Sequence, residues 1–180
     1  MALDISITIL TQPKKGFQQL HHNGGVLWAV GILMVAGISR SMVNVSLGFS
    51  SYSSMYFLVQ ALKSVFTTFF SSAVIFCSCR LFNGKATFMQ TFQAVAFAYL
   101  PFILIGPLSL ALILFSYPAQ LTIISSFVLL ALTIWSLVLI IIGLRETQQF
   151  STGKTILVLL APVIFISFLL IIAAISIYIF

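Results

Sequence analysis

Long apolar blocks, each nearly free of charge, constrain this chain more than any other feature. A helix crossing the ~30 Å hydrocarbon core of a bilayer needs about 20 mostly apolar residues, because lipid offers no partner to an exposed backbone amide. Five stretches answer that need, at about residues 26–39, 64–82, 91–116, 121–144 and 155–180. The first extends back through Gly24 and Gly25, and the second starts as early as Met55. Their continuity excludes a β-barrel, whose strands alternate apolar and polar residues. Composition agrees: 61% hydrophobic against 6% charged lies outside soluble globular usage. The expected fold class is therefore an all-α integral membrane protein with five transmembrane helices. Residues 1–25 form a cytoplasmic amphipathic lead-in, and residues 26–180 form the transmembrane domain.

The net charge of +6 comes from basic residues set singly or in pairs between the apolar blocks. Such spacing reads as an orientation signal rather than a nucleic-acid footprint, because Lys and Arg near span ends resist translocation. Lys14, Lys15, Arg80, Lys85, Arg145 and Lys154 fall on one side of a five-span arrangement, Arg40 and Lys63 on the other. The amino terminus is thus expected in the cytoplasm and Phe180 on the opposite side. The first span is not expected to be a cleaved leader: its polar lead-in is long, Trp28 sits at an interfacial position, and Arg40 follows it.

Catalytic chemistry lacks raw material. Asp4 and Glu146 are the only carboxylates, which leaves nothing for a paired acid/base site or an acidic metal cage. His21 and His22 are adjacent and diverge by about 100° on a helix, so they do not share a metal-binding face. Cys77 and Cys79 diverge by about 200° and read as packing residues. No ionisable residue falls in the middle of any expected span, which disfavours ion-coupled transport. No catalytic residue, cofactor or metal site is assigned.

The lead-in reads as a short surface helix with Pro13 in its first turn. Phe17 and Leu20 would dip into the headgroup boundary while Lys14 and Lys15 meet anionic lipid. Residues 85–92 give a second interfacial helix, with Phe88 and Phe92 four apart on one face. Together they define a candidate cytoplasmic interaction face of Lys14, Lys15, Phe17, Lys85, Phe88, Arg145 and Lys154. On the opposite side the stretch from Ser39 to Ser54 is the longest loop, and its Asn44-Val45-Ser46 acceptor pattern is read as incidental. Pro101, Pro107 and Pro162 are candidate helix kinks, since proline removes a backbone hydrogen bond. Small residues such as Ser71, Ser72, Ala94 and Ala98 mark places where helices touch closely.

Several blocks carry a family resemblance. They are Gln12-Pro13-Lys14-Lys15-Gly16-Phe17, then Gly84-Lys85-Ala86-Thr87-Phe88 running into Ala98-Tyr99-Leu100-Pro101, then Ile134-Trp135-Ser136, Ile142-Gly143-Leu144-Arg145 and Ser151-Thr152-Gly153-Lys154. In order and spacing the chain resembles the Yip-domain family, the Ypt/Rab-interacting membrane proteins and their prokaryotic relatives. The resemblance implies five transmembrane helices and a cytoplasmic amino terminus. Eukaryotic members are associated with Rab-type GTPases through a longer amino-terminal region with its own motif. This chain departs there, so GTPase binding is not carried over, and its short form is similar to prokaryotic members.

The expected function is that of a non-enzymatic plasma-membrane protein of a prokaryote, organising membrane or binding a partner. Its expected partners are membrane lipids, a protein on the cytoplasmic face and further copies of itself, without nucleic acid. The alternative is a transporter or channel subunit for a small or lipid-like solute, motivated by the prolines.

Overall fold

Every apolar block folds into helix, and the amino-terminal lead-in does as well. The computed structural model describes residues 2–23, 25–46, 53–115 and 120–179. In chain order the helices are α1 (Ala2–Thr11), α2 (Pro13–Asn23), α3 (Val26–Ser46), α4 (Ser54–Leu81) and α5 (Phe88–Phe97). A 3-10 segment (Leu100–Leu104) follows, then α6 (Ile105–Phe115), α7 (Gln120–Gln148) and α8 (Thr152–Ile179). Four stretches are long and apolar enough to cross a membrane: Val26–Val45, Ser54–Leu81, Phe88–Ala111 and Ile123–Gln148. Thr152–Phe168, within α8, is a shorter apolar helix.

The third of these stretches forms the centre of the bundle. Thr91 through Ala98 are all buried, and the small side chains of Ala94, Ala96 and Ala98 let α3, α4 and α7 approach. By contrast, α4, α7 and α8 expose Phe66, Phe70, Phe127, Ile134, Ile164 and Phe168. Apolar side chains facing outward along helices of this length form a surface suited to lipid rather than water.

The central helix is interrupted for a backbone reason. Pro101 cannot donate a hydrogen bond, and the chain tightens: Phe102 N–H pairs with the Tyr99 carbonyl three residues back. The Ala98 carbonyl is instead taken by Ser136 Oγ of α7, which donates to it at 2.8 Å. A neighbouring hydroxyl thus satisfies a buried group freed by proline. Pro107 does not kink a helix, because it lies in the first turn of α6, where its missing N–H leaves no bond unmade. Pro162 lies inside α8.

Four expectations are corrected. The helix of the first span continues to Ser46, so the loop expected from Ser39 is shorter, and part of it, residues 47–52, lies outside the described residues. The second helix starts at Ser54, beside the earlier of the two starts read from the sequence, and what this overturns is the loop position of Arg40 and Lys63, which lie within α3 and α4. Residues 85–92 are not an interfacial helix: α5 starts at Phe88, and Phe92 is buried against Phe69 of α4. Phe17 and Leu20 do not dip into a headgroup layer either, because both are buried with Leu33, Phe97 and Leu139. The physical reason is α1, which sequence reading left without structure. It packs on α2 and puts Ile5 and Ile9 into the same cluster, so the lead-in is a helical hairpin capping the bundle.

Candidate functional site

At the bundle end carrying α2, two helices stop in the same way. Asn83 (φ 60°) and Gln149 (φ 58°) adopt left-handed backbone just beyond α4 and α7. Gly84 N–H then reaches the Cys79 carbonyl at 2.8 Å, and Phe150 N–H reaches that of Arg145 at 3.1 Å. These Schellman closures satisfy carbonyls that a helix end leaves orphaned.

Side chains tie the two reversals together. Buried Gln148 accepts from Ala86 N–H at 3.0 Å, and its Nε2 donates to Thr91 Oγ1 at 3.0 Å. Lys85 Nζ donates to Gln149 Oε1 at 3.1 Å. Between these contacts Thr87 starts α5 with a capping box. Its N–H donates to Gln90 Oε1 at 2.8 Å, and its Oγ1 accepts from Gln90 N–H at 3.4 Å.

The lead-in hairpin is fastened to the same end through Glu146. Gln18 Nε2 donates to one carboxylate oxygen at 2.8 Å, and Arg145 forks onto the other at 2.7 and 3.1 Å. Arg145 also reaches Thr152 Oγ1 of α8 at 3.4 Å. Lys14 adds an attraction to the same carboxylate from α2. Lys154 Nζ stands 4.5 Å over the Phe150 ring, a cation–π contact that holds its charge beside the α7–α8 reversal.

Lys14, Lys15, Lys85, Arg145 and Lys154 therefore lie on α2 and the two reversals at one end of the bundle, and of these Arg145 and Lys14 act on the Glu146 carboxylate. Lys14, Lys15 and Lys85 are exposed, while Arg145 and Lys154 are half-exposed. Phe17 leaves the face for the interior. Phe88 is half-buried, its ring edge-on to Phe69 and Phe76 at 5.2 and 5.8 Å. The side chains of His21 and His22 lie outside the described residues. Among the described residues no three His, Cys, Asp or Glu side chains gather, so the chemistry of this face is that of clustered cations.

Sequence reading missed Gln18, Ser136, Gln148 and Gln149. The signal for Gln148 and Gln149 was weak, because two amides after a charged pair look like an ordinary polar linker. Only the solitary acid at Glu146, beside Arg145, hinted that an ion pair would be anchored there.

The model of the Yip1 domain matches residues 7–175, nearly the whole chain. No curated protein and no solved structure gives a significant match.

Proposed function

Because the chain belongs to the Yip1 domain family, whose members are multi-pass membrane proteins without enzymatic activity, we propose that it is a plasma-membrane adaptor of a prokaryote. It crosses the bilayer five times, with α8 as the fifth helix, its amino terminus cytoplasmic and its carboxyl terminus outside. The cationic end formed by α2 and the two chain reversals faces the cytoplasm and engages anionic lipid headgroups and an acidic protein surface. The observation that carries this reading is that α2 and the two reversals bring Lys14, Lys15, Lys85, Arg145 and Lys154 to one end of the bundle, where the one nearby carboxylate, Glu146, is engaged by Arg145 and Gln18. Six of the eight basic residues also belong to that side in the charge count, as the positive-inside rule requires of a cytoplasmic face.

The experiment joins topology to interaction. Reporters at the two termini are expected on opposite sides of the membrane, and same-side termini would overturn the five-span reading. Changing Lys14, Lys15 and Lys85 to Gln removes three charges, each worth about 1 kcal/mol near an anionic surface. The triple variant should lose anionic-lipid enrichment around the purified protein and the proximity labelling seen from its amino terminus. An unchanged lipid and labelling profile would defeat the adaptor reading.

The alternative, a transporter or channel subunit for a small or lipid-like solute, is favoured by the interruption of the central helix at residues 98–104. Against it, the Ala98 carbonyl freed by that interruption is occupied by Ser136 rather than open to a solute. Absence of flux in reconstituted vesicles across a panel of solutes would retire it.

A further inference from the structure

We propose that a cavity between α3 and α4, remote from the basic face, binds a phosphate-bearing anion. The cavity holds about 300 Å³ and is lined by Arg40, Asn44, Gln60, Lys63, Thr67 and Tyr99 among others. Arg40 and Lys63 are the two basic residues that the charge count separates from the other six, and both reach this one space. No carboxylate lines it. The chain has only two, and Glu146 is engaged by Arg145 and Gln18 at the other reversal.

Both cations are exposed, on helices that meet beside the cavity. Gly37 of α3 sits so close to Ser64 of α4 that a Cβ there would lie 2.7 Å from the serine Cβ, so the two helices touch beside the cavity. Both cations lie inside apolar helices, Arg40 about two turns from the end of α3 and Lys63 about two and a half turns from the start of α4. Like charges facing one cavity repel, and an anion between them relieves the repulsion.

The chemistry of the walls selects phosphate. The Arg40 guanidinium lies 4.6 Å from the centroid of the buried Phe102 ring, a contact that steadies its planar fork. A held fork suits bidentate recognition of phosphate oxygens, and a lysine supplies the complementary point charge. The amide and phenol groups of Asn44, Gln60 and Tyr99 offer donors for the remaining oxygens. The ligand phosphate belongs either to a phospholipid headgroup entering from the bilayer or to a free phosphate ester, and the two sources are separable.

The test uses the full-length protein. In one arm it is delipidated, incubated with phosphatidylglycerol or phosphatidylcholine, and examined by native mass spectrometry for retained lipid. In the other, inorganic phosphate and glycerol 3-phosphate are titrated calorimetrically. Retained phospholipid that soluble phosphate does not displace identifies the lipid source, whereas saturable binding of the soluble anions identifies the free one. The double variant Arg40→Gln, Lys63→Gln should weaken whichever binding is found at least tenfold, with Arg40→Lys recovering part of it. Thr67→Leu, which fills the cavity without removing charge, should weaken it as well. The proposal is overturned if the wild-type protein binds none of these ligands, or if binding survives both the double variant and Thr67→Leu. Neither result touches the adaptor reading, whose lysines lie at the other end.

Discussion

The ring of Phe17 on α2 occupies the space in which a Cβ on Gly143 of α7 would stand. Such an atom would meet Cε1 at 2.9 Å and Cζ at 3.0 Å. Phe17 is fully buried, so its ring has no free direction in which to yield. The lead-in hairpin therefore sits on the bundle through one aromatic side chain and one missing side chain.

Gly143→Leu should push α2 away from α7, at an overpacking cost of about 1–3 kcal/mol. Phe17→Ala removes the ring instead and should cost about 3–5 kcal/mol if the cavity does not collapse. In both variants amide exchange should rise over α1 and α2 while α5 and α7 stay protected. Protection of the hairpin equal to wild type in Gly143→Leu would show that α2 docks without this contact.

The helices and their approximate order were legible because continuous apolar blocks leave few alternatives to helix in lipid. The end-to-end separation of Arg40 and Lys63 from the other cations was legible for the same reason. What could not be read was where the apolar residues of the lead-in point. Phe17 and Leu20 fit a surface helix or a buried one equally well, and only the docking of α1 with Ile5 and Ile9 decides for the interior. Phe88 and Phe92 raised the same ambiguity, since an aromatic pair four apart packs against α4 as readily as against headgroups. The Ser136 contact was also beyond reach, because it depends on a carbonyl freed by Pro101 on another helix.

Gln148 joins the α4–α5 reversal to α7 and is almost wholly buried. Gln148→Leu keeps comparable bulk but strands the Ala86 N–H and removes the donor to Thr91 Oγ1. A buried group left without a partner costs about 1–3 kcal/mol, so the thermal transition of the purified protein should fall accordingly. Gln148→Glu should not recover that loss, because a carboxylate buried without a cation is costly and lacks the donor to Thr91 Oγ1. If the leucine variant melts with the wild type, the two reversals are not coupled through this side chain.

Ser136→Ala should be destabilising out of proportion to its size. The substitution removes one oxygen, yet it leaves the buried Ala98 carbonyl without the 2.8 Å donor that replaces its helical partner. A loss of about 1–3 kcal/mol is expected. Ser136→Thr retains the hydroxyl and should lose less, which separates the hydrogen bond from simple packing. Equal loss in the two variants would place the effect in the shape of the site rather than in the carbonyl.

Ser72 predicts the opposite sign. Its Oγ is buried in α4 and is, among the described residues, the one buried side-chain polar atom without a hydrogen-bond partner. The Thr68 carbonyl, one turn back, already accepts from Ser71 Oγ at 3.1 Å. A hydroxyl in that position costs desolvation and returns no bond, so replacing it by a methyl group removes a penalty. Ser72→Ala should leave stability unchanged or raise it by about 1 kcal/mol, measured beside Ser136→Ala in the same detergent. The two substitutions delete the same atom from the same residue type, and only the presence or absence of a partner differs. A fall in stability for Ser72→Ala comparable with that of Ser136→Ala would mean that its hydroxyl is bonded in the membrane, by a group supplied from outside this chain.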